Sequence, residues 1–348
     1  MSEGTTPDNI NNYLQKLRII NIPYGGIEVE KFFDNNLKDR VLINIHKANK
    51  SLLLLLKNGI IPMNNKGLFH CDIKATNILI DTNQNYLTRL IDWGFAVTFD
   101  KEKVEIVDGS ELILPRSLLN RVIQFNVPYS ILLFSDNFVN TLSNYLIIVD
   151  KDGANRFIIE DDKKLIMFFS QYFKLLFEDV NRIGHLRFIN KYICKLYDIE
   201  LKDNSKINKK TGSIIVNYMK LILQHYFYQI QKSTKDSVLK SNSIDDKKSL
   251  VIQLLNNYTN LFMSNIDTWG FIMSYNVLIN SQIQVYLKSV RGMIKFILEN
   301  PLTKINYKLI SNYLYIAQLD FIKDDNPNKS DNIKDTPLIQ KKEENSKK

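Results

Sequence analysis

The sequence lacks the features that mark several classes of protein. Its two cysteines, Cys71 and Cys194, are too few for a disulfide framework and form no zinc-binding pattern. The longest dense apolar patch, the five leucines from Leu52 to Leu56, is far shorter than the roughly 18 residues of a membrane-spanning helix. The polar N-terminus has no signal-peptide character, and no internal repeat is evident. These absences favour a soluble intracellular protein of a reducing compartment, with no membrane partner.

The composition is that of an ordinary globular protein. The chain has 348 residues, of which 45% are hydrophobic and 24% charged, enough for a sizeable core in one large domain or two small ones. The net charge is +9, and residues 195–248 contribute eleven lysines against six acids. Such a patch can attract nucleic acid or acidic substrates. We favour a solvated helical face instead, and expect no nucleic-acid partner.

The most informative stretch lies between Leu68 and Phe95. His70-Cys71-Asp72-Ile73-Lys74 and Asn77 match the pattern H-x-D-x-K-x-x-N. Two short apolar runs follow, joined by a polar turn, and the second ends at Asp92-Trp93-Gly94. Two β-type runs with a polar connection predict a hairpin. It would hold Asn77 at one end of the strand pair and Asp92 at the other.

These residue types suit phosphoryl transfer from ATP, which requires positioned groups more than covalent chemistry from the protein. A carboxylate must orient and accept the hydroxyl proton, and Asp72 fits that role. Lys74 lies two residues on and can reach the γ-phosphate. Asn77 and Asp92 offer the hard oxygen ligands that magnesium prefers.

The motifs resemble the catalytic and metal-binding loops of eukaryotic-type protein kinases, and look closest to divergent kinase-like proteins of large DNA viruses. The resemblance implies that Asp72 is the catalytic base, Lys74 the γ-phosphate contact, and Asn77 and Asp92 the magnesium ligands, with ATP and Mg²⁺ as cofactors. Two residues depart from the family pattern. Cys71 replaces an arginine that reads a phosphate on the activation loop, which argues against control by phosphorylation of that loop. Trp93 replaces a phenylalanine.

The segment upstream of this motif resembles the hinge between kinase lobes. The apolar run 17–22 predicts a strand, Pro23-Tyr24-Gly25-Gly26 breaks it, and a helix-like segment, 27–33, follows. By this resemblance the adenine-contacting residues would be Ile22, Tyr24 and Gly25. A helix over 37–57, stopped by Asn58-Gly59, would lead into the catalytic loop.

A kinase small lobe is not recognisable in the sequence. About 20 residues precede the hinge-like segment, and they contain no G-x-G-x-x-G and no V-A-I-K-like strand. Three explanations remain open: a fragment of a longer kinase, a degenerate kinase, or a small lobe supplied by another polypeptide.

Downstream, residues 112–134 occupy the place of an activation and substrate-docking segment. The alternative is a strand and turn that have no role in substrate binding.

Residues 265–270 resemble the start of the central helix of a kinase C-lobe, where Asp267 would accept hydrogen bonds from the catalytic-loop backbone. Asp92 and Asp267 are 175 positions apart, which leaves room for an insertion. Amphipathic helices are predicted over 165–177, 185–197 and 214–231, and the last helices of the C-lobe over 285–299 and 307–319, with a break at Asn300-Pro301.

The predicted fold is mainly α with a little β: a protein-kinase-like C-lobe with a hinge, a truncated or missing small lobe, and a large helical insertion. The predicted divisions are a disordered N-terminus (1–8), a small-lobe remnant with hinge (9–26), C-lobe (27–136), insertion (137–248), the rest of the C-lobe (249–322) and a disordered tail (323–348).

The predicted function is Mg-ATP-dependent phosphoryl transfer to Ser or Thr of a protein. The expected partners are that protein substrate and a separate small-lobe or regulatory polypeptide. An inactive kinase-like interaction module is one alternative. A small-molecule kinase of the aminoglycoside type is another, because that class also carries I-D-W-G, whereas Lys74 favours protein kinases.

Overall fold

The structure, a computed structural model, describes residues 24–39, 41–100, 111–146, 148–151, 154–157, 162–179, 183–233, 243–280 and 288–315. It is mostly helical with small antiparallel sheets, which confirms the expectation of a mainly α fold with a little β. The predicted strand over 17–22, the N-terminal residues 1–8 and the tail 323–348 lie outside the described residues.

Within the described residues, the strands are short and pair in antiparallel fashion. They are β1 (Ile27–Glu28), β2 (Leu68–Phe69), β3 (Ile78–Asp81), β4 (Leu87–Leu90), β5 (Val97–Thr98), β6 (Ile148–Lys151) and β7 (Ala154–Phe157). β3 and β4 form the predicted hairpin, with Ile78 opposite Leu90. β1 adds to the free edge of β3, so the three-strand order is β1-β3-β4, while β2 pairs with β5 and β6 with β7.

The helices of the described residues carry most of the core. They are α1 (Val29–Lys38), α2 (Leu42–Leu55), α3 (Ile61–Asn65), α4 (Asp136–Tyr145), α5 (Asp162–Glu178), α6 (Leu186–Leu196), α7 (Lys209–Ser233), α8 (Ile244–Met273), α9 (Asn276–Asn280), α10 (Lys288–Glu299) and α11 (307–315). The apolar stripes over 165–177, 185–197 and 214–231 correspond to α5, α6 and α7. None of these helices combines the length and apolar character needed to cross a membrane.

The helix predicted over residues 37–57 differs from the prediction at both ends. It begins at Leu42, and it continues past Asn58-Gly59 through a π-helical turn (Leu56–Ile60) into α3. The backbone N–H of Ile61 donates to the carbonyl of Leu56, five residues back, which defines the π turn. Leu56 and Ile60 are fully buried. Burial of such side chains outweighs the roughly 1 kcal/mol that a mid-helix glycine costs, so the predicted stop was wrong.

The helix that carries Asp267 begins much earlier than residue 265. α8 starts at Ile244, where the Ser243 hydroxyl caps it by accepting a hydrogen bond from the Asp246 N–H at 3.1 Å. The boundary predicted between residues 248 and 249 therefore falls inside a helix. Asp267 lies near the C-terminal end of α8, and from residue 265 to 273 every residue of the helix is buried.

One hydrophobic core runs through the described chain from Val29 to Leu314. It includes apolar residues of α5, α6 and α7, which the sequence placed in an insertion. α7 packs against α5, α6 and α8, so these helices continue the core that surrounds α8.

Candidate active site

The carboxylate of Asp72 is the centre of a dense hydrogen-bond network in the loop between β2 and the 3₁₀ turn Ala75–Asn77. It is buried, and its Oδ2 accepts hydrogen bonds from Lys74 Nζ at 2.9 Å and from Asn77 Nδ2 at 3.0 Å. Asn77 Nδ2 also donates to the main-chain carbonyl of Asp72 at 2.9 Å. Three of the residues selected from the sequence are therefore in direct contact.

Two further residues hold Asp72 from residues 112–134 (the downstream segment), and neither was selected from the sequence. Asn126 Nδ2 donates to Asp72 Oδ1 at 2.9 Å, and Arg121 Nη2 lies 3.4 Å from the same oxygen. They follow Asp72 by 54 and 49 residues. Nothing in the sequence distinguishes them from the other polar residues of that segment, because the contact depends on how the chain folds back.

The charge state of Asp72 follows from this network. Burial by itself raises the pKa of the carboxyl group. The hydrogen bonds from Lys74 and Asn126, together with the positive charges of Lys74 and Arg121, outweigh that effect, so the pKa lies below its ordinary value. Asp72 is therefore ionised at neutral pH and can accept a proton.

Asp267 supports the loop of residues 70–74 (the Asp72 loop) from α8, as predicted. Its two carboxylate oxygens accept hydrogen bonds from the backbone N–H groups of His70 and Cys71, each at 2.8 Å. The side-chain amide of Asn64, oriented so that both its ends are satisfied, also donates to Asp267 Oδ2 at 2.8 Å. Burial raises the pKa of Asp267 to about 6, against the lowering effect of the two backbone hydrogen bonds.

Gly270 lets the same helix approach the loop closely. A Cβ atom at this position would lie 2.4 Å from the carbonyl oxygen of Ile73 and 3.1 Å from that of Asn126. The neighbouring Trp269 donates its indole N–H to the carbonyl of Phe125 at 3.1 Å. One turn of α8 therefore contacts both the Asp72 loop and the downstream segment.

Antiparallel pairing brings Asn77 and Asp92 to the same open end of the hairpin, although they stand at its opposite ends along the chain. The N–H of Ile91 donates to the carbonyl of Asn77 at 3.0 Å, one residue before Asp92. His70 Nε2 donates to the carbonyl of Ile91 at 2.9 Å, and burial lowers the pKa of His70, which keeps the ring neutral. The hairpin end is thus joined to the Asp72 loop.

The backbone is left-handed at two non-glycine residues of this site. Cys71 has a φ of 62° and Asp92 a φ of 63°. Non-glycine residues adopt this region rarely, and such conformations concentrate at functional sites, where the surrounding structure holds them. Here one such residue precedes Asp72, and the other is the predicted metal ligand.

The hinge-like residues Tyr24 and Gly25 lie just before β1, the neighbouring strand of the small sheet. Tyr24 is 68% exposed, and the carbonyl of Gly25 accepts a hydrogen bond from Arg89 Nη1 at 3.1 Å. They precede β1, which pairs with β3. Within the described part of the chain, no hydrogen bond joins them to the network around Asp72. Ile22 lies outside the described residues.

The donors at the hairpin end fit magnesium better than zinc. Across the described ranges, no group of three or more His, Cys, Asp or Glu residues is arranged to hold a metal ion. Asp92, however, is exposed and its carboxylate has no hydrogen-bond or ion-pair partner among the described residues. The amide nitrogen of Asn77 donates to Asp72, which leaves its oxygen for a ligand. One carboxylate and one amide oxygen match a magnesium ion that retains water and phosphate ligands.

Comparisons with protein-family models, with curated proteins and with solved structures found no match. The chemistry available to the site follows from its own groups. It combines an ionised carboxylate, an ammonium group 2.9 Å from that carboxylate, and oxygen donors for a hard cation at the adjoining hairpin end.

Proposed function

We propose that this chain transfers the γ-phosphoryl group of ATP to a serine or threonine hydroxyl of a protein substrate, with Mg²⁺ as cofactor. The observation that carries the proposal is the contact of Asp72 with both Lys74 and Asn77, beside the hairpin end that presents Asp92. The protein-kinase-like C-lobe expected from the sequence is part of this proposal.

In this mechanism Asp72 accepts the proton of the substrate hydroxyl. Its lowered pKa keeps it ionised, and the four side chains that donate to its oxygens fix its orientation. A positioned general base contributes about 10²- to 10⁴-fold to a rate. The hydroxyl oxygen attacks phosphorus as the proton moves to the carboxylate, and the bond to the ADP leaving group breaks.

Lys74 and the hairpin-end residues serve the phosphate groups. The Lys74 side chain is 31% exposed, so its ammonium group can reach a ligand without leaving Asp72. It would stabilise the negative charge on the transferring group. Asn77 and Asp92 would hold magnesium, which supplies charge neutralisation at the phosphates when bound.

A thermal-shift measurement tests nucleotide binding. ATP with Mg²⁺ at about 100 times its dissociation constant is expected to raise the melting temperature of the wild type by about 5 °C. The rise should shrink in Asp92→Asn and persist in Glu200→Gln, which removes one exposed acid after α6. No magnesium-dependent rise in the wild type would contradict the proposal and favour the interaction module.

Transfer itself is tested with labelled ATP and a panel of protein substrates. Asp72→Ala should remove labelling of protein while the far-ultraviolet circular dichroism stays that of the wild type. Equal labelling by this variant would refute the role of Asp72 as base. If small compounds with a hydroxyl or amine group are labelled and no protein is, the substrate is a small molecule and not a protein.

A further inference from the structure

Arg121 is a buried cation with contacts to three separate parts of the chain. Its side chain is 6% exposed. Nη1 donates to the carbonyl of Cys71 at 2.8 Å, and Nη2 lies 3.4 Å from Asp72 Oδ1. Nη2 also donates to Gln124 Oε1 in its own segment, and the guanidinium lies over the ring of Phe95, 4.6 Å from the centroid. One side chain therefore contacts the catalytic loop, the segment after Asp92 and the downstream segment.

These contacts complete a two-sided fixation of Cys71. Its N–H is held by Asp267 from α8, and its carbonyl by Arg121. Cys71 itself has a left-handed backbone, a conformation that persists only where surrounding contacts hold it. The peptide group that follows Cys71 leads directly to Asp72, so the Arg121 hydrogen bond acts on the orientation of the carboxylate as well as on its charge.

The guanidinium group is suited to this role because it is planar and presents several N–H donors in a fixed fork. The fork lets it donate to a carbonyl, an amide oxygen and a carboxylate at once. A lysine ammonium would keep the charge but could not span these acceptors in the same geometry. The downstream segment is thus tied to the catalytic loop by a charge that is permanently present.

We propose that Arg121 is a positioning residue that assembles the catalytic loop, the segment after Asp92 and the downstream segment into one arrangement, and that the site is consequently active without phosphorylation of the downstream segment. This inference rests on the proposed function. It deepens that function because it makes the site constitutively active. The buried Arg121 supplies the ionic contact between the downstream segment and Asp72.

The kinetic test compares Arg121→Ala, Arg121→Lys and a matched control, Arg291→Ala. Arg291 makes the same kinds of contact elsewhere, with the carboxylate of Asp198 at 3.0 Å and the carbonyl of Lys195 at 2.8 Å. Arg121→Ala is expected to lower the turnover number about 30-fold or more, with the KM for ATP changed less than about 3-fold, since a misplacement near 1 Å costs about 10²-fold. The turnover number of Arg121→Lys should fall between those of the wild type and Arg121→Ala, and that of Arg291→Ala should match the wild type.

Two kinetic results would overturn the inference. An unchanged or increased turnover number in Arg121→Ala would mean that the arginine is dispensable or that its contact with Asp72 is inhibitory. Loss of wild-type turnover after treatment with a protein phosphatase would mean that the site depends on phosphorylation.

Hydrogen exchange of the full chain separates this inference from the proposed function. Arg121→Ala should accelerate amide exchange at residues 70–74 and 116–127, and Arg291→Ala should not. Accelerated exchange in a protein that transfers no phosphoryl group would support the positioning role and refute the proposed function. Unchanged exchange would overturn the positioning role whatever the activity. If Arg121→Ala does not fold, the same comparison with Arg121→Lys decides.

Discussion

A methyl group at position 270 is expected to force α8 and the Asp72 loop apart. Substituting alanine for a glycine inside a helix gains about 1 kcal/mol from conformational preference. At Gly270 the new Cβ would lie 2.4 Å from the Ile73 carbonyl oxygen, so the loop must withdraw by more than half an ångström to reach even the shortest Cβ contacts found in proteins. The loop cannot withdraw cheaply, because Asp267 in the same helix holds it by two hydrogen bonds.

Gly212→Ala in α7 provides a matched control. The nearest atom to a Cβ there is Ile207 Cδ1 at 3.8 Å, an ordinary contact. Both substitutions receive the same gain in helix preference, so the difference between their free energies of unfolding reports the steric cost at Gly270 alone. Overpacking typically costs 1–3 kcal/mol, and we expect a difference of about 2 kcal/mol, with Gly212→Ala more stable than the wild type.

Urea denaturation followed by circular dichroism measures both free energies. Phosphoryl transfer provides a second readout, because displacing the carbonyl of Ile73 also displaces Asp72 and Lys74 on either side of it. A reduction in turnover of about 10-fold is expected for Gly270→Ala. If Gly270→Ala proved as stable as Gly212→Ala and fully active, the close approach of α8 to the loop would not be what positions Asp72.

Four further substitutions, at three positions, test other parts of the structure by urea denaturation. The pKa of Asp267, raised to about 6 by burial, means that the folded chain binds its proton more tightly than the unfolded chain, so stability falls as pH rises from about 4 to 6. The wild type should lose about 2 kcal/mol more than Asp267→Asn between pH 4 and pH 7; parallel pH profiles would contradict this. Tyr275→Phe removes the donor to Asn49 Oδ1 at 2.8 Å and should cost about 1–3 kcal/mol, because a buried acceptor loses its partner; a neutral effect would mean that water replaces the hydroxyl. Ser243→Ala removes the cap of α8 and should cost about 1 kcal/mol, whereas Ser243→Thr, which retains the hydroxyl, should cost less.

The parts of the site that could be predicted from the sequence are those built from neighbouring residues. Asp72, Lys74 and Asn77 lie within six positions, so a short loop is enough to bring them into contact. The β3–β4 hairpin is equally local, and its register sets Ile91, the residue before Asp92, opposite Asn77. Apolar stripes likewise predicted α5, α6 and α7, because a helix that packs on one face shows its period directly.

The parts that could not be predicted depend on contacts between distant segments. The start of α8 was missed because polar residues interrupt its apolar pattern. One of them, Asn256, is buried and hydrogen-bonded to the carbonyl of Glu111 and the N–H of Ile113, each at 3.0 Å. A residue that looks like a break in the sequence is therefore the partner of another segment. Arg121 and Asn126 escaped notice for the same reason.

The distance along the chain between Asp267 and the loop that it holds has a consequence for synthesis. Asp267 follows His70 by 197 residues, and ribosomes add roughly 5–20 residues per second. For about 10–40 s a nascent chain therefore contains the Asp72 loop without the Asp267 carboxylate, which accepts hydrogen bonds from two of its backbone N–H groups. Until α8 emerges, the geometry around Asp72 has no support from that side, so the candidate site is complete only after Asp267 has been synthesised.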